Sequence, residues 1–184
     1  MNIIKCLGTC AVILIICLIM SGGGYDSDPV PQRLHTMNIE CPIRPYEYTY
    51  YDIPLTDYQQ MKIQGMALKN NVPYEIVLGV MYVESRFNAD TIGDSGDSIG
   101  IMQVQPKWHY HRMERLEAYD LTDPLQCAAV GIDILGEKIA QYGNLDKALV
   151  AYNAGRPYVS SNEYSRKVRE YADSLIGHGT VQGL

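Results

Sequence analysis

The chain has 184 residues, 47% hydrophobic and 20% charged, which suits one globular domain plus an appendage rather than two full domains. Its formal net charge of -6, with no Lys/Arg cluster, argues against a nucleic-acid partner, because such proteins carry a basic face to neutralise phosphates.

The first segment is unlike the rest. Lys5 precedes an unbroken apolar run from Cys10 to Met20, which Ser21-Gly22-Gly23-Gly24 then ends. A spanning helix needs about 20 apolar residues and the core of a signal peptide about 7 to 15, so the run sits on the border between them. No Ala-x-Ala cleavage pattern follows and no lipoprotein-type cysteine is placed after small residues, which leaves residues 1–22 open as either a cleaved signal peptide or an uncleaved membrane anchor. In both cases Lys5 holds the N-terminal end inside and sends the remainder out, so the expected location is extracytoplasmic, secreted or tethered to the outer face of the cytoplasmic membrane.

Residues 23–50 are rich in Gly, Pro, Asp and Tyr without helical spacing and read as a linker, whose tyrosines either stack on sugars or pin the segment to the domain that follows. That domain is expected over residues 51–184. Of five cysteines only Cys41 and Cys127 lie in the exported part; they can form a disulfide or stand as two free thiols, and no Cys-x-x-Cys spacing occurs.

Helical signals begin after Ile53-Pro54-Leu55. Thr56 is placed as an N-cap for a helix from Asp57 to about Asn70, and Pro73 opens a second whose apolar Ile76, Val77, Val80 and Met81 recur at helical spacing. Turn formers over Gly93 to Gly100 predict a loop or short β-hairpin. Three further helices are expected over Pro124 to Tyr142, Asn144 to Ala154 and Asn162 to Ile176, with Gly143 and Gly155 at C-cap positions. The fold class is mainly α.

Glu84 stands near the end of the second helix. Stepping back three, four and seven positions reaches Met81, Val80 and Val77, so its carboxyl shares their buried face. Desolvation and the negative helix end both disfavour the carboxylate, which is what a general acid at neutral pH requires. The plain alternative is a helix-end Glu paired with Arg86 or turned to water.

The residues around it decide between the two. Glu84-Ser85-Arg86-Phe87-Asn88, then Ser98-Ile99-Gly100-Ile101-Met102-Gln103-Val104-Gln105-Pro106, then Ala151-Tyr152-Asn153-Ala154-Gly155 resemble, in order and spacing, the three signature blocks of the soluble lytic transglycosylase family. The resemblance spans about Tyr51 to Ile176. It implies a goose-lysozyme-like α fold with a short loop or hairpin region, and an enzyme that cleaves the β-1,4 bond between N-acetylmuramic acid and N-acetylglucosamine in peptidoglycan strands. It also implies Glu84 as the catalytic acid, Tyr152 as the group that orients it, and Ser98, Met102, Gln103 and Asn153 beside the glycan. The chain departs from the pattern in a segment one residue longer between Glu84 and Gln103, in Ala89 where Pro is common, and in Arg156. Ser95 competes with Ser98 for the serine of the second block.

Bland roles remain open for the supporting residues: Asn153-Ala154-Gly155 as a plain helix end, Met102 as core, Gln103 as a cap. Trp108, the only tryptophan, either lines the glycan groove or packs. No metal or other cofactor is expected, since His109 and His111 are spaced for different helix faces and Asp90, Asp94 and Asp97 miss the helix-loop-helix calcium spacing.

A single acid favours a reaction assisted by the substrate's own acetamido group, ending in a 1,6-anhydromuramoyl product. The alternatives are a hydrolase on the same fold, for which an aspartate at Asp94 or Asp97 would activate water, and a wall-binding module without activity. Partners fitting this chemistry are peptidoglycan strands, the membrane if residues 1–22 are retained, and a secretion, conjugation or phage machine.

Overall fold

The computed structural model describes residues 47–182. The export or anchor segment, most of the linker and Cys41 lie outside the described residues. Six helices and two small antiparallel sheets make up the described part: strand β1 (Tyr48–Tyr50), helices α1 (Asp57–Lys69) and α2 (Tyr74–Ser85), strands β2 (Ile92–Gly93) and β3 (Ser98–Ile99), helices α3 (Pro106–Leu116), α4 (Pro124–Tyr142), α5 (Leu145–Ala154) and α6 (Glu163–Leu175), and strand β4 (Thr180–Gln182). The mainly helical expectation holds.

Helix starts follow the capping residues. At α1 the Thr56 hydroxyl accepts from Gln59 N and the Gln59 side chain accepts from Thr56 N, a reciprocal capping box. Asp123, Asn144 and Asn162 cap α4, α5 and α6, each accepting backbone N–H groups that a helix start leaves unpaired, and Asn162 with Ser165 forms a second capping box. Gly143 and Gly155 end α4 and α5 in the left-handed region, where a residue without Cβ costs least.

Two elements differ from the sequence reading. β1 falls inside the segment read as linker and pairs with β4, Thr49 opposite Val181, so the domain starts before residue 51. Its backbone is met from the other side by α1: Gln64 receives Thr49 N and donates to Thr49 O, while Gln60, almost fully buried, receives Tyr51 N and donates to the carbonyls of Tyr51 and Leu55. Tyr51, at the start of the domain, is buried and packs tilted on Tyr74 at 5.9 Å between centroids. The second difference is α3, a helix without a single buried residue, which explains why no apolar period announced it.

The core gathers around α2. Its residues Val77, Leu78, Val80 and Met81 have no solvent exposure, and α2 packs along α6 more extensively than any other two elements pack together. Gly79 permits this closeness, since a Cβ there would stand 2.4 Å from the Val168 carbonyl oxygen on α6. α2 ends in two successive left-handed residues, Arg86 and Phe87, and the Arg86 guanidinium lies 3.9 Å over the Tyr82 ring, itself stacked on Tyr171 of α6. The helix carrying Glu84 is thus held on one side by the core and on the other by aromatic packing.

Candidate active site

Glu84 sits one residue before the end of α2 and lines a cleft of about 640 Å³. Helical geometry puts its side chain over buried Met81, Val80 and Val77. Burial pushes its pKa from 4.5 up to about 7; the hydrogen bond from Tyr164 works against this shift, and the negative charge of Asp94 adds to it. At neutral pH the carboxyl is therefore divided between its two forms, as a group that first gives and later takes a proton should be.

The cleft brings together Glu84, Ser98, Gln103, Tyr152 and Asn153 from the three sequence blocks, and also Asp94, Gln105, Trp108 and His109. Met102 is not among its walls. It is fully buried, and a Cβ on Gly131 of α4 would lie 2.6 Å from its sulfur, so Met102 is core and fastens the second block from beneath.

Tyr152 also differs from the expected role. Its hydroxyl donates to the Met102 carbonyl at 2.8 Å rather than to Glu84, joining the third block to the second. The donor to Glu84 is Tyr164 on α6, whose hydroxyl stands 2.6 Å from Oε1. Burial holds both phenols protonated, with the nearby Glu84 charge acting in the same direction, so both remain donors. The sequence offered a signal for Tyr164 only in retrospect: it lies at the second position of α6, behind the Asn162 cap, where the start of α6 meets the end of α2.

The hairpin wall is held by side chains. Ser98, 3% exposed, donates to Asp94 Oδ2 at 2.5 Å, and Gln105 Nε2 reaches the same oxygen at 3.2 Å and Ser98 Oγ at 3.1 Å. Gln103 spends its amide on the hairpin, donating at 2.9 Å to both Thr91 O and Gly100 O. Asp94 and Ser95 between the strands have φ of 48° and 58°, a costly conformation for residues with a Cβ, and one that recurs where a site needs a side chain aimed in a particular direction. Asp97 turns away to pair with Lys107.

Of the two cysteines weighed for a bridge, Cys127 is the one that falls among the described residues. It is a free thiol with no solvent exposure, receiving Met102 N at 3.4 Å and lying 3.5 Å from Ile99 O. It fills the space beneath Gly100, where burial pushes the thiol up to about 11, so it packs under the second block.

Taken with the six-helix frame, this is a helical domain whose cleft is arranged around one half-buried acid. The chain belongs to the transglycosylase SLT domain family, whose profile matches residues 61–174. It is similar, at 28% identity over 120 residues, to a transglycosylase of Enterobacteria phage PRD1; the alignment takes in 63% of this chain and 43% of that protein, so the chain spans less than half the length of this relative. Among solved structures, the lytic transglycosylase Slt of Pseudomonas aeruginosa, in the form of an inactive mutant, shares the fold: the TM-score is 0.54 at 17% identity, covering 65% of this chain and 24% of that one. A 70-kDa soluble lytic transglycosylase in complex with bulgecin A aligns over 67% of this chain and 20% of that one, at 20% identity and a TM-score of 0.47.

Proposed function

We propose that the chain is a peptidoglycan lytic transglycosylase that cuts the β-1,4 bond between N-acetylmuramic acid and N-acetylglucosamine and closes the muramic end as a 1,6-anhydro ring. The observation that carries this reading is Glu84, a half-buried carboxyl raised to about 7, in a cleft large enough for sugar rings.

Tyr164 occupies Oε1, which leaves Oε2 to deliver the proton to the glycosidic oxygen. As the C1–O4 bond breaks, the acetamido carbonyl of the muramic residue closes on C1. Glu84, now a carboxylate stabilised by the Tyr164 hydroxyl, takes the proton of that sugar's own 6-hydroxyl, and O6 displaces the acetamido oxygen from C1. Glu84 ends protonated, ready for the next bond, and no water is consumed. The exposed Asn153 and Trp108 at the cleft supply an amide and an aromatic face for the strand.

One observation favours a second reading, hydrolysis. Asp94 lines the same cleft with Oδ2 taken by Ser98 and Gln105, while Oδ1 has no partner among the described residues. A carboxylate so placed is able to draw a proton from a water that attacks C1, leaving a reducing end. Mass spectrometry of digested muropeptides separates the readings, since the anhydro product is lighter by one water. Anhydro ends as the main product support the transglycosylase; reducing ends alone establish the hydrolase.

The wall lies outside the cytoplasmic membrane, so this activity fits the export signal read in residues 1–22, with the enzyme either secreted or tethered. Retention of Lys5 and the apolar run in the mature protein, read by N-terminal sequencing, would identify the tether. Local opening of the wall for a secretion, conjugation or phage machine is the use that such a tethered cutter fits.

A further inference from the structure

A second groove, about 530 Å³, runs along the outer face of α3, and its walls are residues 107–112 and 115. Trp108 and His109 line both this groove and the catalytic cleft, so the two are continuous across the Trp108 ring, which is 72% exposed. No carboxylate lines the groove, although the chain as a whole carries a net charge of -6.

Three of its polar groups, on Lys107, His109 and Arg115, are set as donors, while Tyr110 and His111 face Glu114. Arg112 Nη1 approaches His109 Nδ1 at 2.9 Å; a guanidinium only donates, so Nδ1 must accept, and the proton of the neutral ring is on Nε2. Burial and the adjacent Arg112 charge both keep that ring neutral. Arg112 is fixed by Asp133 at 2.6 Å and by Glu137, and the same Asp133 oxygen holds Arg115 at 2.7 Å. Those acids do not line the groove. Arg115, 57% exposed, uses only Nη2 in this bond, and Lys107, held by Asp97, lies 5.7 Å from the Trp108 ring centroid. Tyr110 beside them is 61% exposed, and its hydroxyl is committed to Glu114.

A glycan presents hydroxyls that donate as well as accept. The free carboxylates of a short acidic peptide are acceptors only, and the exposed donors of Lys107, Arg115 and His109 Nε2 beside an aromatic rim fit them better. We propose that the α3 groove is an accessory subsite for the acidic stem peptide that hangs from the muramic residue, with Trp108 dividing peptide from glycan. This rests on the reading of the cleft as a peptidoglycan site: the strand in the cleft would bring its stem to the groove's open edge.

Trp108 is the sole tryptophan, so its fluorescence reports on the groove. Titration of the whole protein with a free, sugar-less stem peptide is expected to give a saturable change, with Kd weakened at least roughly fivefold in Lys107→Ala/Arg115→Ala, the effect of about one exposed charge pair. Arg115→Lys, which keeps the charge, should recover part of the loss. No saturable change, or the same Kd in the double variant, overturns the subsite, and neither result depends on whether the protein cuts. In a kinetic arm, the wild-type preference for intact strands over amidase-stripped ones, as a ratio of kcat/KM, should fall in the double variant. An equal loss on both forms contradicts the subsite, whereas failure of the wild type to cut either form contradicts the transglycosylase reading instead.

Discussion

The Tyr164 hydroxyl on α6 donates to Glu84 Oε1 on α2 at 2.6 Å, joining residues 80 positions apart at the place where the two most extensively packed helices meet. This bond stabilises the carboxylate and opposes the burial that raises Glu84 to about 7. Tyr164→Phe removes the bond and keeps the ring, so the pKa of Glu84 should rise further. The descending alkaline limb of the kcat/KM profile, where the acid loses its proton, is then expected to move to higher pH, while the rate at the optimum falls by roughly tenfold or more as the carboxyl loses its orientation. A lowered rate with an unmoved limb would show that Tyr164 does not touch the acid.

A raised pKa is also a stability statement. The folded protein holds Glu84 near 7 and the unfolded chain near 4.5, so between these values the folded state binds more protons and stability is lost as pH rises. Glu84→Gln carries no such charge. Relative to wild type it should gain little at about pH 4 and on the order of 3 kcal/mol by about pH 8, read from denaturant midpoints. A gain independent of pH would place Glu84 in water rather than in the cleft wall.

The α2–α6 contact makes its own prediction. Gly79→Ala improves helix propensity by about 1 kcal/mol, yet the new methyl would meet the Val168 carbonyl at 2.4 Å and force the helices apart, a net loss of roughly 1–3 kcal/mol. Gly65→Ala in the middle of α1 meets nothing within 4 Å and should stabilise by about 0.5–1 kcal/mol. Thermal unfolding of the two variants in parallel checks the pair, and loss in both would contradict the packing described.

Much of the frame could be read from local chemistry because local chemistry makes it. Thr56 with Gln59, Pro124 after Asp123, Asn144 and Asn162 each satisfy groups within three residues of themselves, and the turn formers from Gly93 to Gly100 build a hairpin of two-residue strands. What escaped was long-range or unpatterned. β1 and β4 are three residues each and meet across the length of the domain. α3 buries nothing, so hydrophobic spacing had no reason to mark it. At the site, the position of Glu84 on an apolar helix face indicated a shifted acid, but which tyrosine reaches it depends on how α5 and α6 pack: Tyr152 meets the Met102 carbonyl and Tyr164 meets Glu84. Cysteine counting left Cys41 and Cys127 as a bridge or two free thiols, and gave no hint that the space under Gly100 takes a small buried atom, which the Cys127 sulfur supplies.

The central claim is that Glu84 alone supplies and then retrieves the proton. Its most direct test is the rate at which purified Glu84→Gln releases muropeptides from isolated peptidoglycan, measured beside wild type by chromatography and mass spectrometry, with binding to the same material as the control for folding. General acid catalysis contributes about 10²- to 10⁴-fold, and a group used twice should lie at the upper end, so the variant is expected to bind strands and release almost nothing. Retention of more than about a tenth of the wild-type rate, outside that range, would mean that another residue is the acid and would contradict this account of the site.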